Sequence, residues 1–281
     1  MKTYQCLGFV GLAAASLFAS QAFATICPTA PASVTQTQGG PVCVAPVGQD
    51  GAGTGLQDVL GPSINPNSIF STGPGIDPYT QQAQKPFWSV GGSSGSVSTI
   101  LLQIAGYAGN DVFGIFDPND HNNKLALISN GSNGGQAMLS VFSNGDYKVN
   151  LGSGGSATFS TVNYFGFYLT TPSGTFYSLP SLNEAGDITY PNGTPHMLAF
   201  EGNGSKIKPL NGLAGGIWGP NEWILAWEDQ RFPDSDLDYN DFVVLVESVH
   251  PVPEPAVLGM FGLGALMIGL AVVSRRRRED V

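Results

Sequence analysis

From Phe87 to Ser248 the chain is broken, roughly every ten residues, by Gly, Asn, Pro or Ser. The pieces between the breaks are short runs rich in Val, Ile, Phe and Tyr. No segment here carries a long apolar period of 3.6 residues, so helices cannot supply the core. Many short strands with frequent turn signals predict an all-β body, a β-sandwich of jelly-roll type. Expected strands cover residues 98–105, 111–116, 124–129, 137–142, 146–151, 158–161, 164–170, 175–178, 196–201, 222–227 and 242–248. Asp146–Leu151 alternates polar and apolar, as a half-buried strand does, and Asn144-Gly145 before it is a hairpin signal. Phe242–Val246 is apolar at every position, which predicts a central strand covered on both faces.

The ends of the chain differ from this body. Residues 1–24 combine Lys2, an apolar run and the small-residue exit Ala22-Phe23-Ala24. That order predicts a secretory signal peptide cleaved after Ala24. Residues 25–86 are rich in Pro, Gly, Ser, Thr and Gln and show little apolar periodicity. They read as a leader that is partly extended and either packed along the domain or disordered, with a short helical turn within 49–60. Cys27 and Cys43 remain after signal removal, and an even pair in an oxidising compartment predicts a disulfide. The β body is expected over 87–250, and residues 251–281 form a separate tail.

That tail has three parts in order: Pro253-Glu254-Pro255, an apolar stretch over 256–273, and Arg275-Arg276-Arg277-Arg278. An apolar run of about 18 residues is long enough to cross a bilayer as a helix, and clustered arginines stay on the cytoplasmic side. The body is therefore expected outside the inner membrane. This tripartite end closely resembles the PEP-CTERM sorting signal of Gram-negative bacteria that make extracellular polysaccharide. The resemblance implies an exosortase that cuts near Pro253-Glu254-Pro255. It also implies a transient inner-membrane anchor and release to the cell surface or extracellular matrix.

Charge narrows the possible partners. Residues 25–252 keep six of the eleven basic residues and eighteen of the twenty-one acids, a net of −12. Phosphate binding needs clustered Lys and Arg, so nucleic acid is excluded as a partner. Divalent cations suit such a body better.

The acids concentrate in one place. Between the expected strands 222–227 and 242–248 lie Glu228, Asp229, Asp234, Asp236, Asp238, Asn240 and Asp241, with Arg231 the one cationic side chain of the loop. So many carboxylates in one loop repel unless a cation joins them. Oxygen-only ligands suit Ca²⁺, which takes six to eight of them. Asp234, Asp236 and Asp238 are spaced like the start of an EF-hand loop. Tyr239 then stands where that loop needs Gly, and Leu245 where it needs Glu, so this is not an EF-hand. The alternative is an Asp-rich turn whose carboxylates cap backbone N–H groups. A second acidic stretch, Asp117–Asn123, reads as an ordinary polar loop joining two strands.

This acidic segment, with 165–169, 174–178 and 197–202, resembles the DUF4114-type domain found in many PEP-CTERM proteins. The resemblance covers roughly 87–248. It implies a secreted β domain, with Ca²⁺ as its cofactor, and it does not imply catalysis. H-E-x-x-H does not occur, and the four tryptophans read as core residues more than as sugar platforms. The expected function is thus a non-enzymatic surface or matrix protein associated with exopolysaccharide. A polysaccharide-processing enzyme is one alternative, with Glu184, Glu201, Glu222 and Glu228 as available carboxylates. An adhesin is the other.

Overall fold

The computed structural model describes residues 42–46, 55–83, 85–90, 96–103, 109–129, 135–142, 144–151, 156–160, 163–183, 194–211, 213–231 and 234–253. The expected signal peptide with Ala22 and Ala24, Cys27, and the tail from Glu254 through Arg278 lie outside the described residues. Among the described residues no helix is long and apolar enough to cross a membrane.

The protein is all-β. Its elements in chain order are a single-turn helix α1 (Leu56–Leu60), then β1 (Phe70–Thr72), β2 (Phe87–Val90), β3 (Ser96–Gln103), β4 (Val112–Asp117) and β5 (Asp120–Ser129). There follow β6 (Gln136–Val141), β7 (Tyr147–Leu151), β8 (Ser156–Phe159), β9 (Gly166–Thr171), β10 (Gly174–Tyr177) and β11 (Met197–Glu201). The last are β12 (Lys206–Ile207), β13 (Gly216–Ile217), β14 (Glu222–Trp227), β15 (Phe242–Glu247) and β16 (Val249–Val252). A seven-stranded antiparallel sheet runs β11-β14-β15-β3-β6-β7-β8. A four-stranded antiparallel sheet runs β10-β9-β4-β5.

The two sheets share one apolar core. Side chains alternate in direction along a strand, so every second residue of β14 and β15 points the same way. Trp223, Leu225 and Trp227 join Phe242, Val244 and Val246 in a cluster with Phe113, Ile115, Phe167 and Leu169 of the four-stranded sheet. The Phe113 ring lies 5.6 Å from Phe242 and 6.2 Å from Trp227, which fixes the contact between the sheets. All four tryptophans are buried, as the core reading expects.

The opposite face of the long sheet carries a second core. Leu198, Phe200, Ile224, Ala226, Val243 and Leu245 point outward there. Val42, Val44, Leu56, Val59, Leu60, Ile69, Phe70 and Ile76 cover them. Strand β15 is thereby covered on both faces, as its unbroken apolar run predicts. Much of the segment read as a leader is thus folded onto the sheet. Its apolar residues are too irregularly spaced to show a period, because loops and one helical turn deliver them.

Several details correct the sequence reading. Asp117–Asn123 is the polar connection between two strands that was expected, but it is shorter than 117–123. Asp117 pairs with Asp120, so Pro118-Asn119 forms a tight turn and β5 already begins at Asp120. Asp117 and Asp120 accept bonds from the backbone N–H groups of Asn119 and Asn122, the ordinary work of turn carboxylates. Two further strands, β2 and β16, pair with one another where none was expected. Pro251 within β16 hides that strand from a reading by propensity. At the β6–β7 hairpin, Gly145 takes φ +91° and its N–H donates to the Phe142 carbonyl.

Candidate metal centre

The acidic loop leaves β14 at Glu228 and enters β15 at Phe242. Strands β14 and β15 are paired along their whole length, with Trp227 opposite Phe242. The loop must therefore turn back on itself at one end of the sheet. It does so through two residues in the left-handed region, Leu237 (φ +61°) and Tyr239 (φ +56°). Neither is Gly, Asn or Asp, so each carries a steric cost that the surrounding contacts offset.

Those contacts are specific. Tyr239 is fully buried, and its hydroxyl donates to the Pro195 carbonyl at 2.7 Å. The Tyr239 N–H donates to Glu228 Oε1 at 2.8 Å, and the Ser235 hydroxyl donates to Glu228 Oε2. Asp229 N–H donates to Asp241 Oδ2 at 3.0 Å. Asn240 donates to Asp238 through both its backbone N–H and its side-chain amide. The loop is also tied to the four-stranded sheet. Thr171 donates its hydroxyl to the Asp229 carbonyl, and the Arg231 N–H donates to the Ser173 hydroxyl.

Four carboxylates converge within this frame. Glu228, Asp236, Asp238 and Asp241 each present an oxygen, and these oxygens all lie within 4.8 Å of one another. Glu228, Asp238 and Asp241 are buried, while Asp236 is half-buried at the rim. Two oxygens on opposite sides of a Ca²⁺ at about 2.3–2.6 Å stand roughly 4.6–5.2 Å apart. The cluster can therefore hold a metal ion of that size. Asp229 and Asn240 are buried beside the four. Asp234 is exposed, outside the group. Arg231 is exposed too, with its guanidinium packed against the α-carbon side of Gly174.

The electrostatics match this crowding. Burial pushes the Glu228 carboxyl well above the usual range, and the charges of Asp236 and Asp238 add to the shift. Burial likewise raises Asp241, helped by Glu228, Asp229 and Asp238. Each charge makes its neighbours harder to ionise, so the loop is built either for a cation or for shared protons.

Sequence reasoning did not single out His196 in this region. It is buried, stacked on Phe176 with ring centroids 4.0 Å apart, and its Nδ1 lies 3.4 Å from the Glu228 carbonyl. Burial lowers its pKa to about 4. Its place at the start of the expected strand 196–201, at the end where the acidic loop begins, was the available signal.

Cys43 is disulfide-bonded and fully buried. Pro253, first of the expected sorting residues, is exposed directly after β16. Comparison with known proteins adds nothing to these observations: no family model, no curated protein and no solved structure matches the chain.

Proposed function

We propose that this is an exported, non-enzymatic protein of the cell surface or extracellular matrix, with a body stabilised by Ca²⁺ at Glu228, Asp236, Asp238 and Asp241. The convergence of four carboxylate oxygens, three of them on buried side chains, carries the metal part of this reading. All four ligands are oxygens, with no His or Cys among them, which suits Ca²⁺ over Zn²⁺. A site supplied by four carboxylates suits Ca²⁺ over Mg²⁺, which keeps several waters and takes one or two carboxylates. Asp229 and Asn240 support the ligands from behind.

The body is a β-sandwich of jelly-roll type in this reading. Its support is the core shared by Trp227, Phe242 and Phe113 across the two sheets. The resemblances to PEP-CTERM and DUF4114-type proteins support export, exosortase processing and an exopolysaccharide setting. With the tryptophans buried, contact with polysaccharide falls to carboxylates and a bridging cation at the loop rim, where Asp234 and Asp236 reach solvent. An acidic polysaccharide is the glycan such a bridge would hold.

Titration calorimetry of the purified protein with Ca²⁺ tests the centre. The expected result is saturable binding that Asp238→Ala abolishes and that Mg²⁺ does not reproduce. Binding that survives Asp238→Ala, or no binding at millimolar Ca²⁺, contradicts the proposal.

A further inference from the structure

A small three-stranded sheet, β1-β12-β13, lies over the outer core and turns its other face to solvent. Phe70 and Ile207 pair across it and point inward, and the Phe70 ring stacks on Trp218 with centroids 5.5 Å apart. Side chains alternate along a strand, so the neighbours of these residues point outward. The register sets Thr72, Lys206 and Ile217 in one outward row. Lys208 faces the same way, and its N–H donates to the Ile69 carbonyl. Thr72 and Lys206 are exposed, and Ile217 is 63% exposed.

The charge of this face is opposite to that of the body. Residues 59–76 and 202–221, which build the sheet and its connections, contain two lysines and no Asp or Glu. Residues 25–252 as a whole carry −12. Neither Lys206 nor Lys208 enters an ion pair among the described residues. Two other cations of the body are engaged: Lys124 lies over the Tyr168 and Tyr177 rings, at 5.3 and 5.5 Å, and Arg231 belongs to the acidic loop. A body of this net charge repels a polyanion, which can settle only where acids are absent and cations are free. Lys206 and Lys208 stand about 6.6 Å apart along the chain. Two charges in line on an open sheet suit a linear chain of repeated anions. The Thr72 hydroxyl and the Ile217 side chain offer that chain a polar and an apolar contact.

We infer that the outward face of β1-β12-β13, through Lys206 and Lys208, is a second docking surface for an acidic polysaccharide, one that needs no bridging cation. That the polyanion is a polysaccharide rests on the function proposed above, whereas the surface itself rests on charge and register.

The test is binding of the full chain to immobilised polygalacturonate in the presence of chelator, read by biolayer interferometry, with dextran as the neutral control. Lys206→Gln with Lys208→Gln removes both charges and leaves the inward residues of the sheet untouched; its melting temperature checks the fold. Lys206→Arg with Lys208→Arg keeps the charges. Ca²⁺ binding to the same samples is measured by calorimetry.

Polygalacturonate is expected to bind in chelator and dextran is not. The affinity is expected to fall at least tenfold in the Gln variant, and at least tenfold when salt is raised to about 0.5 M. The Arg variant and Asp238→Ala are expected to bind in chelator as the wild type does. If polygalacturonate binds only with Ca²⁺ and Asp238→Ala loses it, the inference is overturned and the contact at the loop rim stands. An unchanged affinity in the folded Gln variant, or no binding in either condition, overturns it as well. Binding in chelator that the Gln variant loses, in a protein that takes up no Ca²⁺, upholds this surface while the metal centre falls. If phosphatidylglycerol vesicles bind more tightly than polygalacturonate, with the same loss in the Gln variant, the face takes an anionic lipid surface and the polysaccharide assignment is overturned.

Discussion

Glu228 spends both carboxylate oxygens on its own loop, one on the Tyr239 N–H and one on the Ser235 hydroxyl, while Asp236 and Asp238 press their charges on it. These bonds define the loop, yet they do not remove the repulsion. Neutralising one member should therefore have opposite effects in the two states. Asp241→Asn keeps an oxygen for the Asp229 N–H. It is expected to abolish the rise in melting temperature that Ca²⁺ gives, and to leave the ion-free protein equal to or more stable than the wild type.

The raised values of Glu228 and Asp241 fix a pH dependence. A carboxyl raised in the folded state favours folding below its ordinary pKa, and that contribution is lost as pH rises through the raised value. The ion-free loop is thus most comfortable when acidified, whereas Ca²⁺ needs the ionised form. The stabilisation by Ca²⁺ should be larger at pH 7.5 than at pH 5, read as the difference between melts with Ca²⁺ and with chelator. Equal increments at both pH values would contradict the assignment of these carboxylates as ligands.

His196 carries the opposite sign. Its folded pKa, about 4, lies below the ordinary 6.5, so its contribution is whole above 6.5 and is lost as pH falls toward 4. The loss is roughly 3 kcal/mol. His196→Phe keeps the stack on Phe176 and cannot titrate. The stability difference between wild type and variant is expected to fall by about that amount from pH 7 to pH 4, measured by urea unfolding.

At the scale of elements, strand β15 explains why residues 42–46 and 55–83 belong to the folded body. Val243 and Leu245 point away from the inner core, into an outer core that Val42, Val44 and the residues around α1 and β1 help to build. Leu245→Ala should then cost about 2–5 kcal/mol, as for a core leucine, and not the few tenths expected at a solvent-facing position. Denaturant unfolding reads this directly.

The strands were legible in the sequence for a physical reason. Glu222–Trp227 and Phe242–Glu247 are short, apolar and bounded by turn residues, so each announces itself locally. The cover over them was not legible. Ile69, Phe70 and Ile76 reach the sheet through irregular backbone, and no spacing rule connects them to Leu245. The candidate site was legible in composition and illegible in geometry. All seven oxygen-bearing residues stood out, but only the left-handed turns at Leu237 and Tyr239 decide that Asp236 and Asp238 converge with Glu228 while Asp234 faces water. Left-handed Leu and Tyr leave no mark in a sequence.

At the scale of the whole molecule, the body and its expected tail meet abruptly. Val252 still pairs with Phe87 in the β16–β2 ladder, and Pro253 follows it, exposed. Processing at Pro253-Glu254-Pro255 would leave every described strand intact. Replacing these three residues by alanine is expected to keep the protein in the membrane fraction with its C-terminus uncut, read by fractionation and mass spectrometry.

The acidic loop joins three parts of the molecule: the long sheet through Glu228, the short sheet through Thr171 and Ser173, and residues 42–46 through the Ala45 N–H on the Leu237 carbonyl. A cation bound there should consequently stabilise the whole body by mass action. The most direct measurement is calorimetric melting of residues 25–252 with Ca²⁺ and with chelator, beside a variant carrying Asp236→Ala and Asp238→Ala. The account predicts that Ca²⁺ raises the melting temperature of the parent and leaves the variant unmoved. A parent that melts at the same temperature with millimolar Ca²⁺ as with chelator would contradict it, and the loop would then be a turn held by its own hydrogen bonds and protons.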